Sequence, residues 1–269
     1  MRIKVGIFLH VLDRAGYGND YAVIRWPKRC TGQRKGVVLT DLFRLDVRRE
    51  NPDEALRLAV LASGSGTNLE AILKACEEGS IHARVVVVIS DNPGAYALER
   101  AKQYGISAVA VDRGKYADRR SHEDAVLKEA APFKPQLAVL AGYMRLVTPF
   151  FLDAFTNPET GLPGVINIHP ADTRAYQGVR GYEFALGLAG KDRKRLQKTW
   201  ITVHFVDHGM DTGPIIAQEP LEVLPDDNLE SLKERGLAVE HSLYPRVIDM
   251  ISRGRVRMKS AGSDDVVVE

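Results

Sequence analysis

Apolar runs of strand length alternate with amphipathic helical segments from residue 58 to residue 258. In the first unit of this pattern, Leu58–Ala62 is apolar at every position, a Gly-rich turn follows, and Leu69, Ile72 and Leu73 then recur at helical spacing. Strands that are apolar throughout are typical of a parallel sheet covered by helices on both faces. The pattern therefore predicts an α/β fold with a doubly wound, mostly parallel sheet of Rossmann-like type.

The same pattern assigns the other elements of this domain. Further strands are predicted over residues 85–89, 108–111, 137–140, 199–206 and 215–223, and helices over residues 95–104, 122–131, 149–155, 182–188 and 229–251. Gly236 favours a break in the last helix, because glycine is a poor helix former. Residues 259–269 are expected to form a frayed tail after a domain that spans residues 58–258.

Residues 1–57 do not follow this pattern and are basic. They contain 12 Lys and Arg against 7 Asp and Glu, whereas the rest of the chain contains 25 against 28. We expect an irregular, solvated or partly disordered extension, with a nucleic-acid or membrane role for this arm as the alternative. The mildly acidic remainder has no nucleic-acid footprint.

Composition narrows the class of protein further. Cys30 and Cys76 are the only cysteines, so neither a disulfide framework nor a Cys-based zinc site is expected, and a reducing cytoplasm fits. No apolar run approaches the length of a membrane span. The apolar run of residues 5–12 differs from a signal peptide, because His10 interrupts it and no cleavage site follows. We expect a cytoplasmic monomer or homodimer that binds small-molecule substrates, with no nucleic-acid or membrane partner.

A loop suited to bind phosphate follows the first predicted strand. The loop Gly64–Asn68 leads into a helix, where exposed backbone N–H groups and the helix dipole favour an anion. It lacks the lysine of a Walker loop and the third glycine of the dinucleotide fingerprint. Asp91, at the end of the next strand, nevertheless keeps a nicotinamide cofactor open. The structural alternative is a tight turn capped by Thr67 or Asn68.

A further strand is predicted from residue 165, and Pro170 ends it. Two polar residues, Asn167 and His169, lie near its end. Side chains alternate along a strand, so Asn167 and His169 should point to the same side, with Ile166 and Ile168 opposite. An amide and an imidazole side by side can handle a carbonyl and a proton. The alternative is a buried pair that is satisfied by neighbouring backbone.

We expect Asp211 to be the partner of His169. A nearby carboxylate would raise the pKa of the imidazole and hold it protonated, ready to donate to a developing oxyanion. The alternative for Asp211 is turn formation, since Asp-Thr-Gly-Pro forms turns anyway. His204 and His208 have the residue type of metal ligands, but their spacing matches no ligand signature.

The sequence resembles the phosphoribosylglycinamide formyltransferase family, which uses folate in purine synthesis. Four motifs and one further pair of short segments occur in the order and at the spacing of that family. The resemblance covers residues 58–258. The motifs are Ala62–Leu69, Leu140–Arg145, Asn167–Pro170 and Val203–Val206 with Asp211–Pro214, and the pair is Glu240-His241 followed by Tyr244-Pro245.

The resemblance implies two substrate sites. One would hold the phosphorylated acceptor, glycinamide ribonucleotide, and the other the pterin of 10-formyltetrahydrofolate, the formyl-donor cosubstrate. The implied phosphate-binding residues are Gly66, Thr67 and Asn68; Glu240 would bind the same substrate; Met144, Arg145, Leu146 and Val147 would line the folate pocket.

The resemblance also implies the catalytic group and the reaction. Asn167, His169 and Asp211 would be the catalytic residues, supported by His204. The substrate amine would attack the formyl carbon directly, while Asn167 and protonated His169 stabilise the tetrahedral oxyanion. No metal is implied.

One loop departs from the family pattern. The family usually continues from His-Pro with a Ser-Leu-Leu-Pro type of loop, whereas Ala171-Asp172-Thr173-Arg174 follows here. Because this loop borders the expected catalytic site, the surroundings of the acceptor amine are expected to differ from those in the family.

Three alternatives remain open at this point. Formyltetrahydrofolate hydrolase shares the carboxyl-terminal motifs, and other formyltransferases act on tRNA or sugar nucleotides. A nucleotide-binding oxidoreductase or a non-catalytic binding module would need only the Gly-rich loop and the sheet. That third class would leave Asn167, His169 and Asp211 without a role.

Overall fold

The computed structural model describes residues 54–156, 162–259 and 265–269. Its main sheet has seven strands, and short strands β8 and β9 form a separate pair. The strands are β1 (Leu56–Leu61), β2 (Ala83–Ser90), β3 (Ser107–Ala110), β4 (Leu137–Leu140), β5 (Val165–His169), β6 (Lys198–Phe205), β7 (Ile215–Glu222), β8 (Val256–Met258) and β9 (Val266–Val268). The helices are α1 (Thr67–Glu77), α2 (Tyr96–Gln103), α3 (Arg119–Ala130), α4 (Pro149–Phe155), α5 (Gly181–Ala185) and α6 (Leu229–Ser252).

The strand order confirms the predicted mostly parallel sheet. It runs β3-β2-β1-β4-β5-β6-β7, with parallel pairing from β3 to β5 and antiparallel pairing of β6 with β5 and β7. Asn167 lies opposite Leu140 on one side and His204 on the other. The register therefore places the two polar residues of β5 beside the end of β4 and next to a histidine of β6.

Helices cover both faces of the sheet, as the apolar strands predict. Along β1, Leu58 and Val60 pack into the core beneath α1, α2, α5 and α6, whereas Ala59 and Leu61 pack against α3 and α4. Every one of these four side chains is at most 1% exposed. Burial on both faces explains why the strand is apolar at every position.

The Gly-rich loop needs glycine at the residue before α1. Gly66 has a φ of 72°, and a Cβ atom there would lie 2.8 Å from the Cα of Ala97. No side chain caps α1, so the structural alternative of a Thr or Asn cap is wrong. The first-turn N–H groups of this helix are therefore not occupied by a side-chain cap.

Helix α6 is continuous over 24 residues, so the predicted break at Gly236 is wrong. The glycine has a packing role instead. A Cβ atom at Gly236 would lie 2.3 Å from the hydroxyl of Tyr182, whose ring fills that space. The helix is continuous through Gly236, and the missing side chain leaves a notch on its surface, the Gly236 notch, which holds the ring of Tyr182.

The end of the chain differs from the predicted frayed tail. Val266–Val268 forms β9, which pairs antiparallel with β8, and the backbone N–H of Glu269 donates to the carbonyl of Arg255. The extension up to residue 53 lies outside the described residues, so its predicted character remains a prediction. None of the described helices is both long and apolar enough for a bilayer crossing.

Replacing Gly236 by alanine should destabilise the protein despite alanine's better helix propensity. Because the new methyl group collides with the Tyr182 ring, we expect a loss of ~1–3 kcal/mol in the free energy of unfolding, measured in urea. With Tyr182→Ala already present, the same change should stabilise by up to ~1 kcal/mol.

Ala238→Gly provides the matched control, because Ala238 is an exposed position of the same helix. It should cost ~1 kcal/mol with or without Tyr182. A stabilising Gly236→Ala in the otherwise unchanged protein would show that the notch is not needed.

Candidate active site

Asn167 and His169 lie side by side on the same face of β5, as strand alternation predicts. Ile166 and Ile168 point to the opposite side and belong to the core. His169 is only 5% exposed, while Asn167 is half-buried at the cleft surface. The strand thus presents an amide and an imidazole from a rigid element.

The carboxylate of Asp211 contacts Asn167, His169 and His204. Its Oδ2 atom lies 3.5 Å from Nδ1 of His169 and accepts from the N–H of Gly178 at 2.9 Å. Its Oδ1 atom accepts from Nδ2 of Asn167 at 3.3 Å and lies 3.7 Å from Nε2 of His204. The predicted partnership of Asp211 and His169 is therefore present in the geometry, and His204 joins it.

The backbone at Asp211 adopts the left-handed conformation, with a φ of 54°. Asp and Asn tolerate this region better than most residues, because their short polar side chains bond locally. The turn after β6 uses this conformation to carry the carboxylate back over the polar face of β5.

The pKa of the Asp211 carboxyl is lowered to about 2. Burial alone would raise it, but the hydrogen bond with His204 and the interaction with His169 act in the opposite direction and outweigh burial. The N–H of Gly178 adds to this effect. The carboxylate is therefore ionised at neutral pH.

The predicted rise in the pKa of His169 is wrong for the site without substrates. Burial of the ring lowers its pKa below the ordinary value of 6.5, and the nearby His204 adds to that effect. Asp211 raises the pKa, but by less than burial lowers it. The imidazole is therefore mostly neutral at physiological pH.

Both ring nitrogens of His169 nevertheless face oxygen acceptors. Nδ1 faces the carboxylate of Asp211 at 3.5 Å, and Nε2 lies 3.2 Å from the backbone carbonyl oxygen of Tyr176. A neutral ring donates to only one of them, whereas a doubly protonated ring donates to both. The surroundings therefore favour uptake of a second proton once negative charge develops nearby.

A cleft of about 530 Å³ runs along this edge of the sheet and contains nearly all of the predicted site residues. It extends from the predicted folate loop, past the polar face of β5, to the start of α1. The predicted residues that line it are Asn68, Met144, Arg145, Leu146, Val147, Asn167, His169, His204, Asp211 and Glu240. Gly66 and Thr67 are not among its lining residues, and Thr67 instead lines a separate groove beside α6.

Asn68, Glu240 and Tyr182 form a hydrogen-bonded cluster at one end of the cleft. Glu240 is 6% exposed; its Oε2 atom accepts from Nδ2 of Asn68 at 2.6 Å and its Oε1 atom from the hydroxyl of Tyr182 at 2.5 Å. The start of α1 and the middle of α6 are joined directly through this carboxylate.

Arg145 is turned away from the centre of the cleft toward Asp91. Its Nε atom donates to Oδ2 of Asp91 at 2.5 Å, and this aspartate is only 4% exposed. Arg145 therefore occupies one oxygen of the carboxylate that the nicotinamide interpretation assigns to a ribose hydroxyl, whereas Oδ1 of Asp91 has no hydrogen-bond partner among the described residues.

The divergent loop after Pro170 is anchored on its outer side. Arg174 bonds to both carboxylate oxygens of Asp172 and to Gln218 of β7, and Gln218 donates to Thr202 of β6. None of residues 171–174 lines the cleft. The residues of this segment that do line it are Gly178, Val179, Tyr182 and Glu183.

Sequence reasoning missed several residues of the cleft, among them Lys233, Tyr182 and Gly178. Lys233 lines the cleft four residues after Leu229 and four before Leu237, so helical spacing is the signal that could have found it. Tyr182 and Gly178 act through tertiary contacts with Glu240 and Asp211, for which the sequence carries no local signal.

His208 is exposed and does not line the cleft with His169 and His204. Within residues 54–156, 162–259 and 265–269, no group of three or more His, Cys, Asp and Glu side chains has an arrangement that could hold a metal ion.

Comparison with known proteins identifies the family. The Formyl transferase family matches residues 56–248. A phosphoribosylglycinamide formyltransferase of Haemophilus influenzae is 34% identical over 203 residues, which cover 76% of this chain and 90% of that protein. The trifunctional purine biosynthetic protein adenosine-3 of Drosophila melanogaster is 36% identical over 249 residues, 91% of this chain and 18% of that protein.

Solved structures agree with this assignment. The crystal structure of glycinamide ribonucleotide transformylase 1 from Symbiobacterium toebii is 40% identical, with a TM-score of 0.72 over 80% of this chain and 94% of that one. Sequence, fold and the shared motifs thus lead to one conclusion: this chain belongs to the formyl transferase family.

Proposed function

We propose that this protein transfers the formyl group of 10-formyltetrahydrofolate to the amine of glycinamide ribonucleotide in purine synthesis. The observation that carries the proposal is the single cleft in which Asn167, His169 and Asp211 lie between an apolar loop and the Asn68–Glu240 contact. Two relatives named for this activity align with this chain over 90% and 94% of their length, which supports the same activity here.

The loop of residues 143–147 has the chemistry of a pterin site. Met144 and Leu146 are 62% and 43% exposed, and Val147 lies beneath them in the wall of the cleft. The backbone of Met144 is fixed, because its N–H donates to the Ser63 hydroxyl at 2.8 Å. A flat heteroaromatic ring would cover this apolar surface and bond to loop backbone groups.

The opposite end of the cleft suits a phosphorylated acceptor. The start of α1 at Thr67 has no side-chain cap, and the N-terminus of a helix attracts anions. Glu240 supplies a carboxylate for the sugar, and Lys233 adds a positive charge to the cleft. We assign the phosphate to the start of α1, that is to Asn68 in the cleft and to Gly66 and Thr67 directly before it, outside the cleft lining, and we assign Glu240 to the same substrate.

The residues between these sites account for direct transfer. As the amine attacks the formyl carbon, a C–N bond forms and the carbonyl oxygen becomes negative. Nδ2 of Asn167 lies 3.3 Å from Oδ1 of Asp211 and 3.4 Å from Nε2 of His204, and these long contacts leave the amide able to turn an N–H toward this oxygen. No protein nucleophile is needed.

His169 carries the proton. The ring is neutral before reaction and takes the proton that the amine loses, directly or through water, and Asp211 stabilises the resulting imidazolium. The charged ring then donates to the oxyanion or to N10 of tetrahydrofolate as the bond from N10 to the formyl carbon breaks. The proton that leaves the amine thus ends on the product, and the site returns to its starting state.

The acceptor requirement tests this proposal directly. Purified protein with 10-formyltetrahydrofolate and glycinamide ribonucleotide should release tetrahydrofolate only when both are present, which is followed by absorbance. Release without the acceptor would indicate the hydrolase, and no release under any condition would exclude formyl transfer.

Removing the proton carrier or its charged partner should nearly abolish turnover. We expect His169→Ala and Asp211→Asn each to lower kcat by about 10²–10⁴-fold, the usual contribution of acid–base and oxyanion groups. Asn keeps both the shape and the left-handed backbone of Asp211, so this variant removes the charge and turns one of the two acceptor oxygens into an amide donor.

Acceptor binding in the two variants serves as the control. It should stay within about threefold of the unchanged protein, measured calorimetrically, because neither residue touches the Asn68–Glu240 end. A loss of less than tenfold in turnover for both variants would remove them from the catalytic group.

The pKa of His169 can be measured by NMR titration of its ring in the protein without substrates. We expect a pKa below 6.5, because burial outweighs the attraction of Asp211. Asp211→Asn should lower it further, since the carboxylate favours the charged ring. A pKa above 6.5 in the unchanged protein would mean that the ring enters the reaction already charged.

A further inference from the structure

Tyr182 has no part in the motifs or in the reaction described above, yet it makes one of the shortest contacts in the cleft. It lies in α5, directly after the divergent loop, and is 7% exposed. Its hydroxyl donates to Oε1 of Glu240 at 2.5 Å, across 58 positions of sequence. The contact joins the divergent segment to the acceptor end of the cleft.

The carboxylate that Tyr182 contacts is held by neutral hydrogen-bond donors. Glu240 accepts from two side-chain donors, the Tyr182 hydroxyl on one oxygen and the Asn68 amide on the other. A buried carboxylate that is held by two neutral donors depends strongly on each of them.

The position of the Tyr182 ring is set by the same helix that carries Glu240. Gly236 lies one turn before Glu240, and its missing side chain leaves the space that the ring occupies. The hydroxyl is therefore fixed from two sides, by the notch and by the carboxylate. Burial and the nearby Glu240 raise the pKa of Tyr182 well above its usual value, so the hydroxyl keeps its proton and remains a donor.

We propose that Tyr182 is a positioning residue that orients Glu240 for the phosphorylated acceptor. The inference rests on the proposed function, because it assigns Glu240 to acceptor binding. Without the hydroxyl, one oxygen of Glu240 loses its partner, and the carboxylate is free to rotate away from the sugar. The divergent segment thereby contributes to acceptor recognition through Tyr182, although residues 171–174 face outward.

Tyr182→Phe tests this role, because phenylalanine keeps the ring in the Gly236 notch and removes only the hydroxyl. Steady-state kinetics should show the KM for glycinamide ribonucleotide raised about 10-fold or more, as expected for loss of a hydrogen bond to a charged group. We expect kcat and the KM for the folate donor to stay within about twofold.

Tyr244→Phe is the matched control on α6. It removes a buried hydroxyl that donates only to the backbone carbonyls of Leu140 and Ile166. This variant should lower the melting temperature without changing the KM for the acceptor. An equal rise in acceptor KM for both variants would overturn the positioning role and indicate a general structural effect.

A double-mutant cycle with Glu240→Gln separates the remaining outcomes. If Tyr182 acts through Glu240, adding Tyr182→Phe to the Glu240→Gln variant should raise the KM for the acceptor little further. Fully additive effects, or an unchanged acceptor KM in Tyr182→Phe, would overturn the proposal while leaving formyl transfer intact. Absence of turnover in the unchanged protein would instead overturn the proposed function and this inference together.

Discussion

The geometry of the cleft depends on the contacts of one half-buried carboxylate, that of Asp211. This carboxylate joins His169 of β5, His204 of β6 and the backbone of Gly178 in the divergent loop. These groups come from three separate segments, and a charge in a partly desolvated place requires such partners. The parallel half of the sheet supplies the amide and the imidazole, and the antiparallel addition of β6 and β7 supplies the loop that carries the carboxylate.

Elements that depend on local pattern could be predicted from the sequence. The bounds of β4 and α4 agree with prediction to the residue, because Leu137–Leu140 is uniformly buried and Pro149 begins its helix. The continuity of α6 and the pairing of β9 could not be predicted, since both depend on partners distant in sequence. The predicted rise in the pKa of His169 was wrong for the same reason. The sequence indicates a neighbouring carboxylate that raises this pKa, but not the burial that lowers it by more.

The divergent loop keeps its first four side chains, residues 171–174, out of the cleft. Asp172 and Arg174 differ from the family pattern, yet they form a polar anchor to Gln218 on the outside of the cleft. The loop still delivers the Gly178 N–H to Asp211 and the Tyr176 carbonyl to His169. Side chains on the outside of the cleft thus hold the backbone that contacts Asp211 and His169.

The neutral donors around Glu240 also bear on how the acceptor end responds to dissolved salt. Attraction between a phosphate and an exposed cation such as Lys233 is screened as ions accumulate, whereas hydrogen bonds from a tyrosine and an asparagine inside the protein are screened much less. In the proposed complex, the phosphate would be held by an attraction that salt screens, whereas the Glu240 carboxylate is held by short-range contacts. Raising the ionic strength would then weaken phosphate binding while leaving the orientation of Glu240 nearly unchanged.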